Sequence, residues 1–257
     1  MFWADQAAVL ERVASGHPLD EILRDIVLMI ERQAQGMFCS ILLLDEARGT
    51  VRSGAAPSLP PAYAQALDGL PIGPAAGSCG TAAYRGERVI VEDIATHPYW
   101  HGYKNLALPH GLRACWSSPI FSAEREVLGT FAMYYREPRG PSTVEVSWVD
   151  AATHLAAIVI VSDRATRSLR QSEARARHLA RLYAMSSAVN EAIVRESDVG
   201  RLYETACRIA VDHGMARLAW IGLVTDSRRI VPVAHAGVAF EQVCPLHLEL
   251  ADANVAG

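Results

Sequence analysis

Leu112-Arg-Ala-Cys-Trp-Ser-Ser-Pro-Ile120 and Val127-Leu-Gly-Thr-Phe-Ala-Met-Tyr-Tyr135 are the stretches whose reading decides the fold. Each is an apolar run of strand length, and the turn around residues 123–126 joins them into a hairpin. Alternation within a strand places Arg113, Cys115 and Ser117 on one face and Leu112, Ala114 and Trp116 on the other. Upstream, Cys39-Ser-Ile-Leu-Leu-Leu44, the turn Asp45-Glu-Ala-Arg-Gly49 and a weaker strand from Thr50 to Ala55 read as a second hairpin. Val89-Ile-Val91 is a fifth strand.

Helices fill the remainder. Val9 and Val13 share one helical face, and Leu19, Ile22, Leu23, Ile26 and Ile30 share another, with Gly36 placed to end the second helix. Pro60 and Pro61 open a short helix through Leu67. Ser78 is expected to cap another, ended by Gly86. A long loop runs from Asp93 to His110. Downstream, Ser142 followed by Glu145 is a capping box entered through Pro141, and no proline or glycine then interrupts the chain to about Val194. Such a helix would extend about 75 Å. It carries a weak heptad, with Leu155, Ser162, Leu169, Ala176, Tyr183 and Asn190 at one core position. Ile158, Ala165, Ser172, Leu179, Ser186 and Ile193 occupy the other. This favours a paired parallel helix.

Beyond it the opening pattern restarts. Ser197-Asp198 caps a helix with apolar positions Val199, Leu202, Ala206 and Ile209, which Gly214 should end. A hairpin follows from Leu218-Ala-Trp-Ile-Gly-Leu-Val224, through a turn at Asp226-Ser-Arg-Arg229, to Ile230-Val-Pro-Val-Ala-His235. Three regions are expected: a core over residues 1–142, a closing and signalling helix over 143–194, and a truncated second copy over 195–257. A half-sheet with open edges is no natural stopping point, so a longer polypeptide is expected, with poor order after about Ala236.

Composition narrows the function classes. The 257 residues are 51% hydrophobic with a net charge of -4, and the mean hydropathy is +0.12. This supports a packed core rather than disorder and supplies no basic surface for nucleic acid. The uninterrupted apolar run Ala156-Ala-Ile-Val-Ile-Val161 is far short of a membrane span, and Met1-Phe-Trp-Ala-Asp-Gln lacks a basic leader. Cys39, Cys79, Cys115, Cys207 and Cys244 are widely spaced and odd in number, neither a disulfide framework nor a zinc signature. A cytoplasmic protein without a membrane segment is expected.

The blocks Gly73-Pro-Ala-Ala-Gly-Ser-Cys-Gly-Thr-Ala-Ala83, Val89-Ile-Val-Glu-Asp-Ile94, Pro109-His-Gly-Leu-Arg-Ala-Cys-Trp-Ser-Ser-Pro119 and Val127-Leu-Gly-Thr-Phe-Ala132 together resemble the GAF domains of bacterial signalling proteins. The resemblance covers about residues 5–162, and Ala219-Trp-Ile-Gly-Leu223 extends it to a second GAF-like copy. It implies an α+β fold: a five-stranded antiparallel sheet flanked by helices, then a long signalling helix and a partial second domain. Terminal helices would pack on one face and form a homodimer. Loops and short helices would roof a pocket on the other, where family members bind cyclic nucleotides, bilins, haem or metabolites. The fold leaves the ligand, or any cofactor, unknown.

The candidate pocket residues are Cys79, Thr81, Asp93, Trp100, Tyr103, His110, Arg113, Cys115 and Ser117. Cys79 begins a helix, whose dipole favours a thiolate. With Cys115 it could sense redox state or hold a metal cofactor across the pocket, or both could be small packing residues. His97, His101 and His110 share no helix face, so a pocket lid suits their loop better than metal or haem ligation. The Gly73 to Gly80 segment matches no nucleotide-hydrolysis spacing, and the bilin-attachment patterns of photoreceptor members are absent. The expected role is regulatory and non-enzymatic for these residues. A small ligand or redox change would act through the helix on an output domain, either cyclic-di-GMP turnover or a histidine kinase. The alternatives are a ligand-free dimerisation module and, less favoured, a free methionine sulfoxide reductase using Cys39, Cys79 and Cys115.

Overall fold

The computed structural model describes the backbone of residues 2–213, 216–226, 228–238 and 248–249, and the side chains of residues 7–213, 216–226 and 228–238. Two compact units divide the chain, Met1–Arg167 and Ser168–Gly257.

In the first unit, helices α1 (Phe2–Ala14) and α2 (Leu19–Glu31) precede the hairpin β1 (Phe38–Asp45) and β2 (Thr50–Ala55). Short helices α3 (Pro61–Ala66) and α4 (Gly77–Arg85) lead to β3 (Val89–Val91). The loop after it contains α5 (Lys104–Ala107) between two 3-10 turns, and β4 (Ala114–Phe121) and β5 (Val127–Tyr135) follow. The five strands form one sheet in the order β2-β1-β5-β4-β3, with every pair antiparallel. The expected α+β fold is therefore present, and all five strands lie within two residues of their expected bounds.

Period-two alternation sorts the sheet into two faces. Cys39, Ile41 and Leu43 of β1, with Phe131, Met133 and Tyr135 of β5, pack against α2 and the start of helix α6 (Thr143–Arg195). Leu42, Ala132, Tyr134 and Cys115 point the other way, under a roof of Tyr63, Leu67, Cys79, Trp100 and Leu112. β4 obeys the expected alternation from Ala114 onward. Leu112 does not: it joins the roof-side core rather than sharing a face with Ala114 and Trp116. The strand starts only at Ala114, and the Leu112 N–H is still bonded to the Ala107 carbonyl at 3.3 Å.

Two helix boundaries also differ from expectation. Helix α2 ends at Glu31, and Gly36, at φ 77°, sits in a later turn. Ser78 lies inside α4, whose N-cap is Ala76; Gly77 at φ 63° makes the turn into the helix, and Gly86 closes it in the left-handed region. The capping box of α6 is as read. Glu145 accepts from the Ser142 N–H at 2.7 Å, and Ser142 Oγ accepts from the Glu145 N–H at 3.3 Å.

Helix α6 runs for 53 residues. It passes the length and composition test for a membrane span, with a window of mean hydropathy 1.6, which the count of one uninterrupted apolar run did not reveal. Its Val149, Ala152, Leu155, Ala156, Val159 and Ile160 are buried in the first unit's core. Leu155 is thus committed to that core and unavailable for the heptad seam. In the second unit, α7 (Val199–Asp212) is capped by the Asp198 carboxylate, which accepts from the Arg201 N–H at 2.8 Å. It is followed by β6 (Leu218–Val224), β7 (Arg229–Gly237) and β8 (Leu248–Glu249), in the sheet order β6-β7-β8. β8 had no counterpart in the sequence reading. Gly214, Ser227 and Cys244 lie outside the described residues, as does most of the segment after Ala236.

Candidate functional site

Strand register builds the floor of the roofed face. Tyr134 of β5 pairs with Phe38 on one side and Cys115 on the other, and the adjoining row is Ser40, Ala132 and Ser117. These small residues leave depth above the strands, into which the first turn of α4 descends. Ser78 ties that turn down: its hydroxyl donates to the Cys115 carbonyl at 2.9 Å and accepts from the Trp100 indole N–H at 2.9 Å. Cys79 is thereby brought to the floor, 3.6 Å from the Tyr134 hydroxyl, which also meets Ser40 Oγ at 3.3 Å.

Beneath the roof lies a cavity with about 20 Å³ of free space, lined by Leu42, Val51, Tyr63, Leu67, Leu70, residues 76–80, Trp100, Tyr103, Leu106 and Tyr134. That is room for one water molecule. No carboxylate, guanidinium, ammonium or imidazole side chain contributes to the lining. Three buried hydroxyls around it, on Tyr63, Ser117 and Thr130, complete no well-formed hydrogen bond, although Ser117 and Thr130 stand close to the Cys79 thiol and Tyr63 stands close to Tyr134. Tyr63 packs edge-on against Tyr134 with ring centroids 5.7 Å apart.

Burial pushes the Tyr63, Tyr134 and Cys115 acids well above their ordinary ranges, so all three stay neutral. Cys79 moves the other way, down to about 7. A hydrogen bond from Cys115 is the main cause, aided by the neighbouring hydroxyls and opposed by burial. The position of Cys79 in the first turn of α4 acts in the same sense.

A family model described as the GAF domain matches residues 16–161, more than half of the chain. The chain belongs to the GAF family. Among its relatives is the methyl sulfide methyltransferase-associated sensor of Methanosarcina acetivorans, 37% identical over 207 residues. That match covers 80% of this chain but only 20% of the relative, so the chain spans about a fifth of that protein's length. Two solved structures share the fold. The GAF domain of an Acinetobacter phosphoenolpyruvate-protein phosphotransferase is 19% identical over 65% of this chain and 98% of its own, at a TM-score of 0.52. The free methionine-R-sulfoxide reductase of Neisseria meningitidis is 17% identical over 64% of this chain and 91% of its own, at 0.51.

Within the GAF domain, the expected site residues separate into two groups. Cys79, Trp100 and Tyr103 line the cavity, while Cys115 and Ser117 lie in the floor beside Cys79. Thr81, Asp93, His110 and Arg113 are not part of the lining. Thr81 Oγ1 accepts from the Ala76 N–H at 3.0 Å and braces the turn before α4. Asp93 accepts from the Ala95 N–H and forms a partly exposed ion pair with Arg113 at 3.2 Å. His110 packs on the Tyr63 ring at 6.0 Å, and His97 accepts from the Tyr99 N–H within its own turn. No cluster of three metal-ligating side chains occurs among the described residues.

Tyr63, Tyr134, Ser40 and Thr130 belong to the site but were absent from the sequence reading. Alternation from Cys115 could have located Tyr134 and Thr130 once the register was known; Tyr63, in a short helix, carries no such signal. Cys39 lies on the opposite face of the sheet from Cys79 and Cys115, so the three thiols do not gather.

Proposed function

We propose that this GAF domain is a sensory module in which the state of the roofed pocket is passed through the sheet to α6. The observation that carries the reading is the pair of adjacent tyrosines ending β5. The Tyr134 hydroxyl enters the pocket cluster with Cys79 and Ser40. The Tyr135 hydroxyl, on the other face, donates to Glu145 in the capping box that starts α6. A shift of β5 at the pocket therefore loads the first turn of the signalling helix directly, a two-sided element of the kind a switch requires. The sensor name of the Methanosarcina acetivorans relative supports this role.

The exposed stripe Ile158, Leu169, Leu179, Tyr183 and Ile193 on α6 supports a homodimer formed through that helix. We also propose that 195–257 begins a second GAF-like domain. Its helix and hairpin repeat α2, β1 and β2, and the 207-residue match to the relative is longer than the 16–161 family match. The output is proposed to be cyclic-di-GMP turnover, ahead of a histidine kinase, in a cytosolic signalling protein; this follows only the company such domains keep.

The test is a thermal-shift screen of the protein against nucleotides, metabolites and haem, with an absorbance spectrum. Hydrogen exchange across residues 143–160 serves as the readout of signalling. Hits that raise the melting temperature and alter exchange there fit the sensor. Hits that leave α6 unchanged refute it. A screen with no hits favours the second reading, a ligand-free dimerisation module, to which the one-water cavity points. The reductase reading is disfavoured by Cys39, and a thioredoxin-coupled assay on free methionine sulfoxide checks it.

A further inference from the structure

The lining of the pocket restricts what it can recognise. A charged ligand taken from water into a buried apolar cavity needs an opposite charge or a full set of hydrogen bonds. None of the cationic or anionic side chains supplies one here. The backbone at the start of α4 forms one wall, but the thiol of Cys79 beside it inclines toward the anionic form, which opposes a second negative charge. The polar capacity left over is specific. Tyr63 is 1% exposed, lines the cavity, and its hydroxyl approaches Tyr134 without completing a hydrogen bond. A neutral phenol in that state is a donor in want of an acceptor.

We infer that the pocket takes a small uncharged molecule whose apolar body lies among Leu42, Leu67 and Leu106 and whose hydrogen-bond acceptor meets the Tyr63 phenol. The inference rests on the sensory reading of this pocket. Since about 20 Å³ is free, a ligand of several heavy atoms enters by displacing the half-buried Tyr103 and Leu106 of the α5 segment. Binding therefore moves the roof, which supplies the differential interaction that a two-state sensor needs.

The experiment compares four probes on the full chain by calorimetry. They are acetophenone, ethylbenzene (the same shape without the acceptor), benzoate (the same size with a charge) and cyclic GMP. Acetophenone is expected to bind most tightly. Tyr63→Phe should weaken it about 3- to 10-fold without lowering the melting temperature, because the lost hydroxyl approaches Tyr134 but completes no well-formed hydrogen bond to the protein. Tighter binding of benzoate or cyclic GMP overturns the ligand class and leaves the sensory reading intact. Equal binding of ethylbenzene, unaltered binding by Tyr63→Phe, or no binding by any probe also overturns the class. A Tyr63→Phe protein that melts lower or fails to fold shows a structural phenol and overturns it too. Acetophenone binding with unchanged hydrogen exchange in α6 upholds the ligand class and refutes sensing.

Discussion

At Gly129 a Cβ would come within 2.2 Å of the Leu42 carbonyl oxygen on the neighbouring strand. The close approach of β5 to β1 depends on that missing atom, and both faces of the sheet depend on the approach. Gly129→Ala is expected to destabilise the first unit by about 1–3 kcal/mol, read from the urea midpoint; wild-type stability would contradict the packing described. The thiols give a pH signature. Cys79 is held down to about 7 while an unfolded thiol titrates at 9.0. Between those values the folded state binds fewer protons than the unfolded one, so stability rises with pH across that window. Above it the sign reverses, because unfolded Cys115 ionises and buried Cys115 keeps its proton. Melting temperature against pH should show a rise and then a fall. Cys79→Ser should remove the rise while keeping the fall, and an unchanged rise would reject the assignment. Cys79 and Cys115 were legible as a pair in the sequence because both are thiols on predicted elements. Tyr63 was not, since only tertiary packing decides that a tyrosine in a short helix turns inward.

Among the elements, the start of α6 is the most tightly specified. Glu145 accepts from Ser142, from the Tyr135 hydroxyl and from Arg139, whose guanidinium also lies 4.3 Å from the Tyr135 ring centre. Burial raises the Glu145 carboxyl, but these hydrogen bonds and the Arg139 charge together bring it below its ordinary value of 4.5. A carboxylate with a depressed folded pKa stabilises above its unfolded pKa and loses that contribution as pH falls through the folded one. Glu145→Gln should therefore cost about 1–2 kcal/mol near neutrality and flatten the acid limb of the stability curve below pH 4.5. Urea titrations at neutral and acid pH check both parts, and an equally steep acid limb in the variant would remove Glu145 from the account. The Ser142–Glu145 half of this arrangement was readable from spacing alone. Tyr135 and Arg139 were not, because their approach requires the turn from β5 into α6.

For the whole molecule, the continuity of α6 is the property to break. Ala176 lies beyond Arg167, where the first compact unit ends. A proline there costs the helix about 3 kcal/mol or more locally, yet Ala176→Pro should leave the first unit's melting temperature and exchange pattern unchanged. Loss of protection should be confined to residues 168–195, and a destabilised first unit would show that the units do not fold as divided. Apolar alternation, turn residues and a capping box determined the five strands and the long helix, since each is a local consequence of side-chain period and backbone preference. Which side chains meet in the pocket was decided only by tertiary structure. Strand register puts Tyr134 beside Cys115, and the crossing of α4 and α3 over the sheet brings in Cys79 and Tyr63. Neither relation is encoded at a spacing along the chain that a local pattern can reveal.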